Sequence, residues 1–174
     1  EVVLHEMFDR VVAGRAGGRV AQPRRQRALP VEQQAFLGTA GLLVSDASLN
    51  RVLYFERDKD GQFSSGMAAS KVFGQKDFTS IEVSTSGSPE DNRFRVPAGV
   101  STDVDGRTYV ADTGNNRVLI FDTIGNISTY NARAAATLSG VSSPRAVFVN
   151  AQTGEIWVTD TGNSKAHRYL RYDQ

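Results

Sequence analysis

The sequence predicts an all-β fold: a β-propeller of four-stranded antiparallel blades, with about three to three and a half blades present as a partial ring. Three observations predict it. First, a segment recurs: "LLVSDASLNRVLYF" (42–55), "TYVADTGNNRVLIF" (108–121) and "IWVTDTGNSKAHRYLRY" (156–172) align on an aspartate that ends an apolar run before a polar turn. Second, a proline stands 15 or 16 residues before each aspartate: Pro30 before Asp46, Pro97 before Asp112, Pro144 before Asp160. Third, the runs "LLVS", "TYVA" and "IWVT" are apolar at nearly every position rather than alternating, which demands sheets covered on both faces. Sheets stacked side by side around an axis meet that demand.

Residues 1–29 are expected to hold the end of a preceding blade, with Phe8-Asp9 standing where Phe121-Asp122 stands, followed by an arginine-rich connection. Six arginines and no acid lie between Arg10 and Val31, although the whole chain carries a net charge of only +1. Such a block attracts phosphate or an acidic partner over long range. Its Gly, Ala, Pro and Gln neighbours and its lack of aromatic residues read as a solvated connection, within which Arg24, Arg25 and Arg27 are binding candidates.

Residues 30–96 are expected to form a blade with an insertion, because 66 residues separate Asp46 from Asp112 but only 48 separate Asp112 from Asp160. "STSGSPEDN" (84–92) reads as a surface loop projecting between blades. Residues 97–143 carry the most regular copy: Asp105-Gly106, Thr113-Gly114-Asn115-Asn116 and Gly125-Asn126 separate four β-rich runs, and each supplies residues that accept the positive φ of a tight turn. Residues 144–174 read as an incomplete blade. Aligning its last strand on Arg168 requires a three-residue insertion after the turn.

Pro97-Ala98-Gly99-Val100, Asp105-Gly106, Tyr109-Val110-Ala111-Asp112, Asn115-Asn116-Arg117-Val118 and Phe121-Asp122 together resemble the NHL repeat, as found in bacterial NHL-repeat proteins. The resemblance implies a blade of a usually six-bladed β-propeller, and it extends over roughly residues 30–174. "KVFGQKDF" (71–78) is similar to an outer-strand segment of such proteins. Within this resemblance some relatives are lyases or lactonases with a central metal and others bind RNA through a basic face, so it specifies fold more tightly than function.

Asp46, Asp112 and Asp160 recur with Arg51, Arg117 and Arg168 across the turn, and with Asn116 at its end. Catalysis needs unlike residues converging from different blades, so repetition assigns these to structure. Each carboxylate is expected to accept N–H groups of its own turn, and each guanidinium to bridge to a neighbouring blade. "DKDG" (58–61) and "DVDG" (103–106) lack the glutamate that closes a calcium loop. The two histidines, His5 and His167, are too few for a zinc centre, and Trp157, in the place of Tyr109, is expected in the core. No metal or cofactor is expected.

Composition narrows the remaining classes. At 40% hydrophobic and 22% charged the chain is ordinary for a globular protein, and no apolar run approaches the roughly 20 residues of a spanning helix. The absence of cysteine removes disulfide, thiolate-metal and cysteine-nucleophile chemistry. The chain opens at Glu1 without a recognisable leader, which leaves the compartment open, with an extracytoplasmic or secreted location the expectation. The function expected is a non-enzymatic scaffold that binds a protein, peptide or glycan through its loops, with Arg24, Arg25, Arg27, Asp91, Arg93 and Arg95 as interface candidates. The alternatives are a metal-dependent propeller enzyme and RNA binding. The missing blades are expected from a longer chain or from a second copy.

Overall fold

Short runs of Val, Leu, Ile, Tyr and Phe, broken by Gly, Asn and Asp, favour strands joined by tight turns. The structure, a computed structural model, describes residues 33–38, 41–85 and 87–172, and among them these runs form eleven strands in three antiparallel sheets. The expectations for residues 1–29, including Arg24, Arg25, Arg27 and His5, and that for Pro30 lie outside the described residues.

Blade 1 runs β1 (Gln33–Leu37), β2 (Gly41–Asp46), β3 (Arg51–Glu56) and β4 (Lys71–Phe73) in that spatial order. Blade 2 repeats it with β5 (Pro97–Thr102), β6 (Arg107–Asp112), β7 (Arg117–Thr123) and β8 (Ala136–Leu138). Blade 3 contributes β9 (Val147–Val149), β10 (Ile156–Asp160) and β11 (Lys165–Tyr169). Sequential order means that every neighbour is reached by a hairpin, so each blade is a meander. Strand β5 lies against β1 and β2 on one side and against β9 on the other, which sets the inner strands side by side as in a sector of a propeller.

Side-chain alternation gives each sheet a front and a back, and the front of one blade packs on the back of the next. Leu43, Val52, Tyr54 and Phe73 of blade 1 meet Val100, Val110, Leu119 and Phe121 of blade 2. The Phe121 ring is edge-on to Phe73 at 5.0 Å and to Phe94 at 5.9 Å, arrangements that aromatic quadrupoles favour. On the other side Tyr109, Ala111, Val118 and Ile120 meet Val147, Val149, Ile156 and Val158 of blade 3. Blade 2 is therefore covered on both faces, which is why β6 and β7 are apolar without alternation. Tyr109 is buried with its hydroxyl donating to Asp103 Oδ2 at 2.9 Å, and burial pushes its ionisation well above the ordinary tyrosine range.

Gly99 marks a close approach of β5 to the residues that lead into β9. A Cβ there would lie 2.7 Å from Ala146 Cα and 2.8 Å from Arg145 O, and the Gly99 N–H donates to that same carbonyl at 2.9 Å. Only a residue without a side chain allows this contact.

Two expectations need correction. In the third copy no insertion follows the turn: Asp160 pairs in register with Lys165, as Asp112 does with Arg117 and Asp46 with Arg51. Trp157 does take the place of Tyr109, but it is 42% exposed, because no described sheet covers the front of blade 3.

Candidate functional site

Each inner hairpin closes through one 3-10 turn that ends in a left-handed residue. After Asp46, Asp112 and Asp160 come the turns Ala47–Leu49, Thr113–Asn115 and Thr161–Asn163, ended by Asn50 (φ 50°), Asn116 (φ 56°) and Ser164 (φ 54°). Asparagine tolerates this region better than other residues with a Cβ. Its side chain is then free to reach outward. Asn50 Oδ1 accepts the N–H of Val96 at 2.9 Å, and Asn116 Oδ1 accepts the N–H of Ser143 at 2.8 Å. Val96 and Ser143 each precede the first proline of the following blade and are themselves held at positive φ, 52° and 47°. A bond from the previous blade thus fixes a strained residue where the next blade begins.

Two of the three aspartates work at the same junctions. Asp46 accepts the N–H of Leu49 within its own turn at 3.3 Å, as the sequence suggests. Asp112 and Asp160 do not cap their turns. Their Oδ1 atoms accept the N–H of Arg95 at 2.7 Å and of Ser142 at 2.6 Å, on the segment that leads into their own blade, while Asn115 and Asn163 donate side-chain amides to them. Both carboxylates are buried, yet their acidities move in opposite directions. Burial dominates at Asp112 and raises its carboxyl above the ordinary range against the pull of Arg95, Asn115 and Arg117; the amide of Asn163 and the N–H of Ser142 hold Asp160 below it.

The cation opposite each carboxylate differs from copy to copy. Arg117 Nε donates to Asp112 at 2.8 Å, and its other nitrogens donate to the carbonyls of Pro89, Glu90 and Arg93 between 2.7 and 3.0 Å. Arg51 donates to Asp46 at 3.1 Å and to Phe78 O at 2.7 Å. In blade 3 the equivalent Lys165 is exposed, and His167, two residues further along the same face, meets Asp160 at 2.9 Å. Arg168 therefore does not serve as the repeat arginine: it lies on the opposite face and pairs with Glu155 at 3.0 Å.

All the carbonyls gripped by Arg51 and Arg117 belong to residues 74–96, which join β4 to β5. This segment does not project as a free loop. Phe94 is fully buried, Ser84 N–H donates to Phe94 O at 3.0 Å, and Glu90 accepts from the Ser84 hydroxyl and from the Thr85 N–H and hydroxyl. Gln75, also fully buried, spans Glu82 with both ends of its amide, accepting from its N–H at 2.9 Å and donating to its carbonyl at 2.7 Å, and donates as well to Leu49 O and Asn50 O. Ser84 is buried and Glu82 is tied to Lys76 and Arg93, while the alternate residues Ile81 and Val83 face solvent, 69% and 53% exposed. Neither the Gln75 bracket nor the Ile81/Val83 pair was singled out in the sequence; the short alternation Ile-Glu-Val was the one signal available for the pair.

The interface candidates of this region separate in space. Arg93 is tied to Glu82 at 2.8 Å, to Asn92 O and to Asn131, so it braces the segment. Asp91 pairs with the exposed Arg133 at 2.8 Å. The half-buried Arg95 uses its main chain for Asp112 and Gly114, while its side chain lies across Gly114. Among the described residues no group of three or more His, Cys, Asp or Glu side chains is placed to hold a metal ion, and no helix is long and apolar enough to cross a membrane.

With this geometry in place, comparison with known proteins shows that residues 94–121 match the NHL repeat. That stretch runs from the buried Phe94 through the Asp112 turn to Phe121. No curated protein matches the sequence. Among solved structures the chain is similar to a functionally unknown protein from Desulfotomaculum acetoxidans DSM 771, with a TM-score of 0.46 and 18% identity over 75% of this chain and 36% of that one. It is also similar to a streptogramin B lyase structure, with a TM-score of 0.41 and 11% identity over 82% of this chain and 42% of that one. The chain thus spans less than half the length of either.

Proposed function

We propose that this chain, which carries an NHL repeat at residues 94–121, is a non-enzymatic propeller scaffold that binds a protein, peptide or glycan through the segments joining its strands and blades. One observation carries the reading: the described residues of 74–96 are anchored by part-buried polar contacts, yet turn the apolar pair Ile81 and Val83 into solvent. Holding a segment in one conformation lowers the entropy cost of binding, and exposed apolar side chains on a fixed backbone are what a ligand can desolvate. Asp46, Asp112, Asp160, Arg51 and Arg117 each bond to main-chain groups of the turns and joining segments, consistent with a framework role.

Peptide and glycan arrays probed with the purified chain test it. The reading predicts a ligand whose binding falls at least about tenfold in an Ile81→Ser/Val83→Ser variant that melts at the wild-type temperature, in line with the cost of removing central apolar contacts. Binding that is indifferent to the two substitutions contradicts this placement of the site.

A further inference from the structure

Residues 80–85 contain no bend or turn, and the exposure of their side chains alternates: Ile81 and Val83 are exposed, Glu82 is half-buried and Ser84 is buried. A period of two is that of an extended strand. The main chain alternates as well. Glu82 donates its N–H to Gln75 Oε1 at 2.9 Å and accepts from Gln75 Nε2 at 2.7 Å, and the Ser84 N–H donates to Phe94 O at 3.0 Å. In an extended chain the polar groups of successive residues point to opposite edges. Those of Ile81 and Val83 are therefore turned away from Gln75 and Phe94, and neither residue's N–H or C=O meets a partner among the described residues. The stretch is a strand whose inner edge is satisfied and whose outer edge is open.

We propose that an extended peptide adds as an antiparallel strand along Ile81, Glu82 and Val83, pairing with the open main-chain groups of Ile81 and Val83 and laying apolar side chains on theirs. This rests on the reading that the pair marks the binding segment, and it names the ligand as a polypeptide. N–H donors and C=O acceptors at strand spacing are matched by another extended backbone, and a glycan presents its hydroxyls at no such spacing. Peptide residues directly opposite Ile81 and Val83 stand on the same side of the pair as they do, so two β-branched or aromatic residues, spaced two apart, fit best. Nothing blunts the edge: residues 80–85 include neither proline nor lysine, which commonly guard open strands. The Gln75 amide brackets Glu82, and Arg117 grips Glu90 and Arg93 further along, so the strand is set before a peptide arrives. The edge lies between β4 and β5 at the junction of blades 1 and 2, both of them described sheets, and not on the bare face of an end blade.

The probe is a capped peptide, Lys-Thr-Val-Thr-Val-Thr-Lys, added to the full chain, with affinity and amide hydrogen exchange read together. Exchange at the Ile81 and Val83 amides should slow at least about tenfold when the peptide is bound. N-methylation of both valines of the probe removes the donors that face the edge and should weaken binding at least about tenfold, whereas N-methylation of the middle threonine, whose N–H faces away, should leave it within about twofold. The change is made in the probe, so it leaves the fold of the protein untouched. Unaltered exchange at both amides with the probe at millimolar concentration overturns the proposal, and so does equal binding of the two methylated probes. A glycan whose binding is lost in Ile81→Ser/Val83→Ser overturns it too, while leaving the proposed function standing. Strand pairing that survives unweakened in Ile81→Ser/Val83→Ser supports the main-chain contact and instead contradicts the apolar contacts of the proposed function.

Discussion

The side-chain oxygen of Asn116 accepts the N–H of Ser143 at 2.8 Å across the junction between blades 2 and 3, and Asn50 repeats the bond to Val96 at the junction before it. In each pair both residues are at positive φ, a costly state for anything but glycine. The strain at one end and the bond at the other are mutually dependent. These bonds tie the start of each blade to the inner turn of the blade before it.

Asn116→Gly and Asn116→Ala separate the two contributions. Glycine removes the bond but relieves the left-handed backbone, whereas alanine removes the bond and keeps the strain. Loss of this solvent-exposed bond costs about 0.5–1 kcal/mol, and a non-glycine residue in this region adds about 1 kcal/mol. Urea denaturation should rank wild type above the glycine variant and the glycine variant above alanine.

Gly99→Ala should be poorly tolerated. The added methyl would press on Ala146 Cα and Arg145 O, main-chain atoms that cannot turn aside. Overpacking of this kind costs about 1–3 kcal/mol, read as a lowered denaturation midpoint. Gly106→Ala tests a different cause, since there the methyl would meet open space and only its φ of 86° opposes the change.

Acid should loosen residues 74–96 before the sheets. Bonds from Ser80 and Thr79 hold the Asp77 carboxyl down at about 2, and its own main-chain N–H, followed by the N–H and hydroxyl of Thr85, holds Glu90 at about 2 as well. Groups whose folded-state values are depressed stabilise the fold above their unfolded values of 3.8 and 4.5, and that contribution is lost as pH falls towards 2. Hydrogen exchange should show protection at Ser84 falling between about pH 4.5 and 2, while Val110 and Leu119 remain protected.

Arg117→Lys should not rescue the junction. A lysine can reach Asp112 but cannot at once satisfy the carbonyls of Pro89, Glu90 and Arg93, which the planar guanidinium does. Limited proteolysis should cut the 84–92 stretch faster in the variant, whereas Arg168→Lys, on the exposed face of blade 3, should leave the digestion pattern unchanged.

Much of the architecture was legible in the sequence because it is written in local terms. Turn residues such as Asp105-Gly106 and Asn116, and the unalternating runs of β6 and β7, encode hairpins and two-sided burial directly. Pairing partners were less legible. An arginine eight residues after the aspartate in "DTGNSKAHR" drew the alignment to Arg168, but strand register places Lys165 opposite Asp160 and brings in His167 from the same face. The anchoring of 74–96 was hidden for a similar reason. Serine, glycine and proline in 84–92 look like a free loop, and nothing local announces that Arg117, more than twenty residues downstream, donates to its carbonyls. Trp157 read as core because it holds the place of Tyr109; its exposure depends on which sheets stand beside it.

The central claim is that the repeated carboxylates hold blades together instead of taking part in chemistry, and Asp112→Ala tests it most directly. Removing Asp112 strands the nearly buried Arg117 guanidinium and the Arg95 N–H, a loss on the order of 3 kcal/mol. Equilibrium urea denaturation should show a midpoint lowered accordingly, with ligand binding at Ile81 and Val83 retained at temperatures where the variant is folded. An unchanged midpoint together with abolished binding would contradict the account.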